Sequence, residues 1–453
     1  MSTLSNIWKI KELRSRILFT LGLIFICRLV AVIPTPGVDI GAMKALIDAH
    51  RNAAGGLVGM LDIFTGGALE RCSVGTLSIW PYINASIIIQ LMTAIIPSLE
   101  KMAREGDVGR QKLTQVTRYL TLVLCAGQAY AIAAGLGSMT SPSGAPIVPF
   151  SSFGFRILTV IAMTSATMLV MWLGEQITER GIGNGMSIII MVNICARLPG
   201  AIYETFLQFL DKSNGLNFFT LVFLFFLAFI VFAGTILLTD GVRKVPVHTA
   251  RGAVGGRVAG GRSTYMPLRV NYAGVMPIIF AGPILAVVGW LFKHVNVSWL
   301  GWLKRYGQNL SLGYDQPGAC FILSYAALIL FFCFFWIATQ FNAVRIADDM
   351  KASNSYVPGI RPGMPTAEFL DLTMTRVTFI GAIGLIIIAL LPSILRGWGG
   401  GVLPAALASF FGGTSLLIIV GVALDTMRQI ESYLVMREYD GFLKHGRIRG
   451  RAG

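Results

Sequence analysis

The chain has 453 residues, of which 55% are hydrophobic and only 13% are charged, and its mean hydropathy is +0.69. These values exclude an ordinary soluble domain. A net charge of +15 is compatible with nucleic-acid binding, but basic loops on one side of a membrane produce the same excess. We therefore expect a membrane protein that does not bind nucleic acid directly.

Ten apolar stretches follow one another along the chain, and most have the roughly 20 residues that a helix needs to cross a bilayer. Spans of this length form helices rather than barrel strands, because a helix satisfies its own backbone hydrogen bonds. The predicted spans cover residues 17–33, 74–96, 117–137, 155–174, 184–198, 218–238, 272–292, 319–340, 373–391 and 402–424. The predicted fold class is an all-α membrane protein with ten transmembrane helices.

Positive charge alternates between the gaps that separate these spans. Of the 37 Lys and Arg residues, 26 lie in the terminal segments and the even-numbered gaps, ten lie in the odd-numbered gaps, and Arg28 lies inside the first span. Short loops that are rich in Lys and Arg stay in the cytoplasm. The sequence therefore predicts that both termini are cytoplasmic.

The first non-cytoplasmic gap contains a second apolar segment, Leu57–Ala68, that is too short to span the bilayer. Gly66 and Gly67 near its end suit a hinge or a helix terminator. A segment of this kind can re-enter the membrane only where protein or a water-filled cavity shelters its backbone ends. Composition by itself favours a helix lying on the membrane surface, with the re-entrant segment as the alternative.

The two longest cytoplasmic gaps, 239–271 and 341–372, differ from ordinary connectors. In the second, Pro358-Gly359 and Pro362-Gly363 favour turns that would hold Arg361 near the tip of a projecting loop. A guanidinium presented in this way suits docking to carboxylate, phosphate or carbonyl groups. The alternative is a solvated loop arginine.

In the first of these gaps, residues 256–263 imitate a phosphate-binding loop, with Arg262 in place of the usual lysine. That motif requires a preceding strand and a following helix that points at the phosphates. The sequence between the two spans shows neither, so we interpret the segment as a flexible loop.

Groups that catalyse reactions or bind metals are sparse. The four histidines are scattered through loops, and the six cysteines form no CxxC pair and read as small core residues. Membrane-embedded enzymes and proton-coupled carriers need ionisable groups at depth, and only Arg28 lies plainly inside a span. We expect no enzymatic activity, no metal and no cofactor.

Five stretches of the chain, in order, resemble the SecY family of protein-conducting channels. They read GGA at 66–68 with WPYINASIIIQL at 80–91, WLGEQITERGIGNG at 172–185, RVNYAGVMPIIF at 269–280, VPGIRPG at 357–363, and FGGTSLLI at 411–418. Asn84 and Met186 depart from the family, which usually has Ser and Ile or Leu there, and the loop at 239–271 has fewer basic residues than is common. The resemblance covers almost the whole chain.

The resemblance implies two five-helix halves related by a pseudo-twofold axis, residues 1–200 and 201–453. It also implies that the segment 57–68 is a short re-entrant plug in the outward-facing funnel, which moves our expectation away from the surface helix. The plug residues would be Leu57, Leu61, Asp62, Ile63, Phe64, Gly66 and Gly67.

By the same resemblance, a ring of bulky aliphatic side chains forms the pore constriction. Motif by motif its members would be Ile79, Ile83, Met186, Ile190, Ile279 and Ile418. Ile79 and Ile83 are four residues apart, as are Met186 and Ile190, so the members of each pair lie on the same face of their helix. A narrow apolar constriction dewets and blocks ions. Without the resemblance, all six would be read as ordinary core or lipid-facing residues.

The family also has a lateral gate between spans two and three on one side and seven and eight on the other. Asn84, Gln128 and Asn271 are polar residues that we place on those spans as candidate latch residues, with ordinary interhelical hydrogen bonding as the alternative. The cytoplasmic docking residues would be Arg243, Lys244 and Arg361.

The resemblance implies a passive channel in the bacterial plasma membrane, through which unfolded preproteins are exported and from which membrane proteins enter the bilayer. Its partners would be SecE, SecG, the SecA motor ATPase, the ribosome and signal sequences, with YidC and SecDF as accessory partners. A competing hypothesis is a secondary transporter of ions or small solutes, which can also have ten spans. Carriers typically place polar residues at the midplane, however, whereas this chain has an aliphatic cluster and large cytoplasmic loops.

Overall fold

The fold is described from a computed structural model. It describes residues 10–43, 45, 65–138, 140, 146–149, 152–210, 218–249, 253–254, 257–258, 263–293, 301–312, 318–398 and 413–445. The chain divides into two compact units, one formed by Met1–Ala201 together with Val422–Gly453 and the other by Ile202–Gly421. We call them unit 1 and unit 2. The pseudo-symmetric halves 1–200 and 201–453 remain a prediction.

Unit 1 is built from long, mostly apolar helices and one short polar helix. They are α1 (Lys11–Val30), α2 (Trp80–Ile95), α3 (Pro97–Arg104), α4 (Asp107–Ser138), α5 (Phe153–Arg180) and α6 (Gly185–Leu210), whose last residues pass into unit 2. Ser152 caps α5 by accepting a hydrogen bond from the Phe155 amide at 3.4 Å. Pro97, at the start of α3, marks a bend of 105° between α2 and α3.

Unit 2 combines helices with short strands. Its elements are α7 (Phe218–Asp240), β1 (Val242–Thr249), β2 (Ala253–Val254), β3 (Arg257–Val258), β4 (Ser263–Arg269), α8 (Met276–Lys293), α9 (Gly301–Leu312), α10 (Ala319–Gln340), α11 (Ala343–Ala352), β5 (Ser355–Tyr356) and α12 (Met364–Trp398). The last helix, α13 (Gly413–His445), begins in unit 2 and continues into unit 1. The core of unit 2 is a cluster of buried side chains from α8, α9, α10, α12 and α13 that includes Ile278, Leu310 and Leu385.

Each of the ten predicted spans overlaps one of these helices. Among the described residues, four helical segments are long and apolar enough to cross a membrane, and the bent pair α2–α3 makes a fifth if it is counted as one span. The four are Asp107–Ser138, Phe153–Arg180, Ala319–Ala352 and Met364–Leu391. The structure is thus that of a helical protein with several apolar helices, while the count of ten spans stays a prediction.

The expectation of a purely α-helical fold was wrong in one place. In the 239–271 gap, β1 pairs with β4 as an antiparallel ribbon, and β5 from the 341–372 gap joins the other edge of β1. Alternating burial along β1, with Val245 and Val247 inside, is the two-residue period of a half-buried strand. The interpretation of 256–263 as a flexible loop also needs correction, because β3 and the start of β4 lie within it. Since a strand follows where a phosphate-binding loop requires a helix, that motif does not apply.

Three hydroxyl groups buried in the apolar helices are satisfied within their own helix. Thr117, Thr121 and Thr235 each donate to the carbonyl four residues earlier, at 2.9, 2.7 and 2.7 Å. This back-bonding lets a polar side chain stay in an apolar environment without a partner on another helix. These threonines therefore need no special functional explanation.

Candidate functional site

Unit 1 contains a cavity of about 310 Å³ with a mostly apolar lining. Three isoleucines line this cavity: Ile79, which directly precedes α2, Ile83 of α2 and Ile190 of α6. Gln128 of α4 and Thr65 and Leu69 of the turn that precedes α2 complete much of the lining. Three sets of residues that the sequence singled out separately, the ring, the gate and the end of the plug, therefore reach one cavity.

The ring candidates of unit 1 lie together. Ile79 is buried, and Ile83, Met186 and Ile190 pack against the cluster to which it belongs. Ile79 precedes the first helical residue of α2, and its carbonyl accepts a hydrogen bond from the Ile83 amide at 3.1 Å. The four-residue spacing thus places both side chains on one face, as predicted. Met186 fits against α5 because Gly174 leaves no side chain there.

The ring candidates of unit 2 are both buried, Ile279 at 8% and Ile418 at 4% exposure. Their neighbours Ile278 and Leu417 belong to the core of the unit. Successive residues of a helix point about 100° apart. Ile279 and Ile418 are therefore directed away from the positions that Ile278 and Leu417 occupy in that core.

Of the three latch candidates, Gln128 has the most informative surroundings. Its Oε1 atom is buried, and no donor among the described residues reaches it. Asn84 is half-buried on α2. Asn271 was placed on the seventh span, but it lies in a turn, because α8 begins only at Met276. The glycine at 274, with φ of 63°, is part of the turn that separates β4 from the helix.

Most of the predicted plug lies outside the described residues, including Leu57, Leu61, Asp62, Ile63 and Phe64. Its C-terminal end is described. Gly66 and Gly67 have φ of 67° and 86°, a left-handed conformation that suits glycine. The predicted hinge or terminator at these two residues is therefore a sharp turn, which leads into residues 68–79 and α2.

The docking candidates lie on a three-stranded sheet and on the loop that follows its strand β5. Arg243 and Lys244 are exposed on β1, opposite Leu268 and Pro267 of β4. Further along β1, His248 and Thr249 pair with β5, which leads to the loop of Arg361. Strand pairing thus joins two loops that are about a hundred residues apart in the chain.

The loop that carries Arg361 is braced on both sides. Val357 and Ile360 pack with Val245 of β1, and the Thr366 hydroxyl donates to the Arg361 carbonyl at 2.8 Å. Gly359 and Gly363 turn the chain with φ of 83° and 104°. The guanidinium is therefore exposed on a supported loop, as the two Pro-Gly pairs predicted.

Comparison with known proteins places this arrangement in a family. The family model of SecY matches residues 73–427, more than three quarters of the chain. The chain belongs to the SecY family. It is similar over nearly its full length to protein translocase subunit SecY of Thermotoga maritima. The two sequences are 40% identical, and the match covers 98% of this chain and 98% of the relative. The corresponding protein of Escherichia coli K12 is 42% identical, covering 97% of this chain and 96% of the relative.

The fold agrees with solved structures of SecY-family channels at low sequence identity. The solved structure of a protein-conducting channel is 16% identical and has a TM-score of 0.60, with 93% of this chain and 92% of that chain covered. The canine channel in its ribosome complex from the endoplasmic reticulum is 16% identical and has a TM-score of 0.57, again with 93% of this chain and 92% of that chain covered. These likenesses concern the fold.

Sequence reasoning missed two polar arrangements in this SecY-family chain. Arg118 of α4 makes two hydrogen bonds of 2.8 Å to the carboxylate of Glu175 on α5, which lies in the stretch at 172–185. Arg28 bonds Asn193 of α6, which was not singled out at all. An arginine inside an apolar span predicts a polar partner nearby, but not which residue supplies it.

Proposed function

We infer that the chain is the channel-forming subunit of a protein translocase, through which unfolded polypeptides cross a membrane. The observation that carries this inference is its similarity, over nearly the whole length, to SecY translocase subunits. The apolar cavity that Ile79, Ile83 and Ile190 line in unit 1 supports it, because a constriction of such side chains blocks ions yet offers a passing chain no strong site of attachment.

In this proposal the ten helices span the bacterial plasma membrane with both termini in the cytoplasm. They form two pseudo-symmetric halves, and residues 57–68 form the plug. Ile79, Ile83, Met186, Ile190, Ile279 and Ile418 form the ring. Among the solved structures of similar fold is one of a SecY whose plug domain stabilises the closed state and maintains a membrane seal.

A lateral gate with Asn84, Gln128 and Asn271 lets apolar segments leave the pore for the lipid. The buried acceptor of Gln128 supports its part, because a donor on an opposing helix would satisfy it when the gate is shut. Such interhelical bonds are worth about 0.6–2 kcal/mol in membranes, so an inserting signal sequence can displace them. Asn271, which precedes α8, would act at the end of the gate rather than along it.

The channel is passive, and partners supply the driving force. The ribosome and the SecA motor ATPase would dock on the sheet that carries Arg243 and Lys244 and on the Arg361 loop. Solved structures of similar fold include channels bound to ribosomes. SecE and SecG would be the small membrane subunits, with YidC and SecDF as accessory partners. The family is one of channels rather than catalysts, and we propose no enzymatic activity.

Reconstitution tests the function directly. The chain, co-purified with its small membrane subunits and placed in proteoliposomes, should make a preprotein resistant to added protease when the motor ATPase and ATP are present. Omission of ATP is the control. A secondary transporter would instead move ions or small solutes down their gradients, would leave the preprotein accessible, and would not require small partner subunits.

Removal of residues 57–68 is a second test. We expect the shortened channel to leak small ions at rest and still to export proteins, because ring and plug are partly redundant seals. Planar-bilayer conductance in several salts measures the leak, with the full-length complex as the control. A conductance identical to that of the parent would contradict the plug assignment.

A further inference from the structure

The turn formed by residues 65–79, which contains the end of the proposed plug and leads to α2, is conformationally strained. Besides Gly66 and Gly67, two residues with side chains adopt left-handed backbone, Cys72 with φ of 44° and Ser78 with φ of 46°. Non-glycine residues hold this conformation only where their surroundings enforce it. The contacts around the turn therefore decide whether it keeps its shape.

One group of contacts centres on Arg28 of α1. Its guanidinium donates to Oδ1 of Asn193 at 3.2 Å and to the Gly66 carbonyl at 3.3 Å. The Asn193 amide donates in turn to the Ser78 hydroxyl at 3.0 Å. Asn193 is 5% exposed. The network thus ties both ends of the turn to α1 and α6 through side chains that are inside the protein.

A second contact lies beside the first. The guanidinium of Arg197, one helical turn beyond Asn193 on α6, forms an ion pair with Glu70. Both side chains are partly buried, with 26% and 32% exposure. An ion pair shielded from water in this way is stronger than one on an open surface. The pair holds the middle of the turn against the same helix.

The space around Gly66 shows how closely the turn fits these groups. A Cβ atom there would overlap Nη1 of Arg28 and approach the Asn193 carbonyl oxygen at 3.0 Å. At Gly67, which has similar backbone strain, a Cβ atom would lie at an ordinary 3.6 Å from Nε of Arg197. The two neighbouring glycines therefore differ in whether an added methyl group would displace Arg28.

We propose that Arg28, Asn193 and Arg197 form a polar clamp on residues 66–70 and thereby set how readily the channel opens. The proposal rests on the proposed function, since its consequence for opening requires that residues 57–68 act as a plug. The clamped residues include the last three residues of the proposed plug, 66–68. The plug can leave its resting place only if they turn, and the clamp resists that turn.

Cys72 provides a reporter that does not depend on channel activity. Its side chain is 3% exposed, and burial raises the pKa of its thiol to about 11, so both access and ionisation oppose alkylation. Its amide bonds the Leu69 carbonyl at 3.1 Å, which couples it to the clamped residues. The test uses the purified complex with the other five cysteines replaced by alanine.

In that background, Arg197→Gln and Asn193→Ala should each raise the rate of Cys72 alkylation by N-ethylmaleimide at least fivefold. The double exchange Glu70→Arg with Arg197→Glu should restore most of the protection. Gly66→Ala should accelerate alkylation clearly more than its matched control Gly67→Ala. Unchanged rates in both single variants, or equal rates for the two glycine variants, would overturn the clamp.

Resting conductance of the same variants separates the clamp from the plug. Faster alkylation together with increased leak is the result we expect. Faster alkylation with parental conductance would leave the clamp in place as a structural feature but would contradict its role in opening, and removal of residues 57–68 would then test the plug by itself. Unchanged alkylation, combined with a leak after removal of residues 57–68, would overturn the clamp and leave the plug intact.

Discussion

Replacement of Ile83 by asparagine is expected to relax the selectivity of the channel for signal sequences and to raise its resting ion leak. Ile83 lines the cavity in unit 1 with Ile79 and Ile190. A buried polar group without a partner costs about 1–3 kcal/mol, and a shift of about 1.4 kcal/mol changes an equilibrium tenfold. The closed, dry state thus becomes less populated relative to hydrated or open states.

Export of a preprotein with a defective signal sequence measures this effect, and we expect an increase of about tenfold from that free-energy shift. Ile418→Asn in unit 2 should act in the same direction, because position 418 belongs to the same proposed ring. The control is Ile388→Asn on α12, where the side chain is also buried, at 9% exposure. That variant should lose stability without accepting defective signals. Equivalent behaviour of the 418 and 388 variants would remove Ile418 from the ring, although the channel itself could still stand.

Reversal of charge at Arg361 is expected to abolish motor-dependent and ribosome-dependent export while the protein still folds and inserts. Arg361 is exposed, and its backbone is held by Thr366 and by the packing of Ile360. Because the side chain itself is not part of the core, Arg361→Glu removes a docking group without opening a cavity. A carboxylate there would also repel acidic groups of the partner.

Export kinetics in proteoliposomes and co-sedimentation with ribosomes measure the loss. Arg345→Glu is the matched control, since Arg345 is likewise an exposed arginine of the 341–372 gap but lies on the helix α11. We expect it to change export less than twofold. If export by the Arg361 variant matched the parent, its docking role would have to be abandoned.

Several features of the candidate site could be predicted because they depend on neighbours in the chain. Ile79 and Ile83 were placed on one face by their spacing, and the Pro-Gly pairs around Arg361 predicted the turns that the structure has. The position of Asn271 was predicted less well. An apolar window does not reveal that a glycine turn at 274 delays the start of α8.

The apolar stretches and their charge bias were sufficient to predict helices, because a segment in hydrocarbon must satisfy its own backbone hydrogen bonds. Four of the five stretches that resemble the family lie at least partly in them, and the fifth lies in the 341–372 gap. Only the tertiary structure decided the partners of polar groups. Arg28 meets Asn193 across 165 positions, and β5 extends the ribbon of β1 and β4 from a separate loop. The local sequence of one segment does not predict which distant segment it will contact. Hydrogen bonds and strand pairs form between whichever groups the packing of the helices brings together.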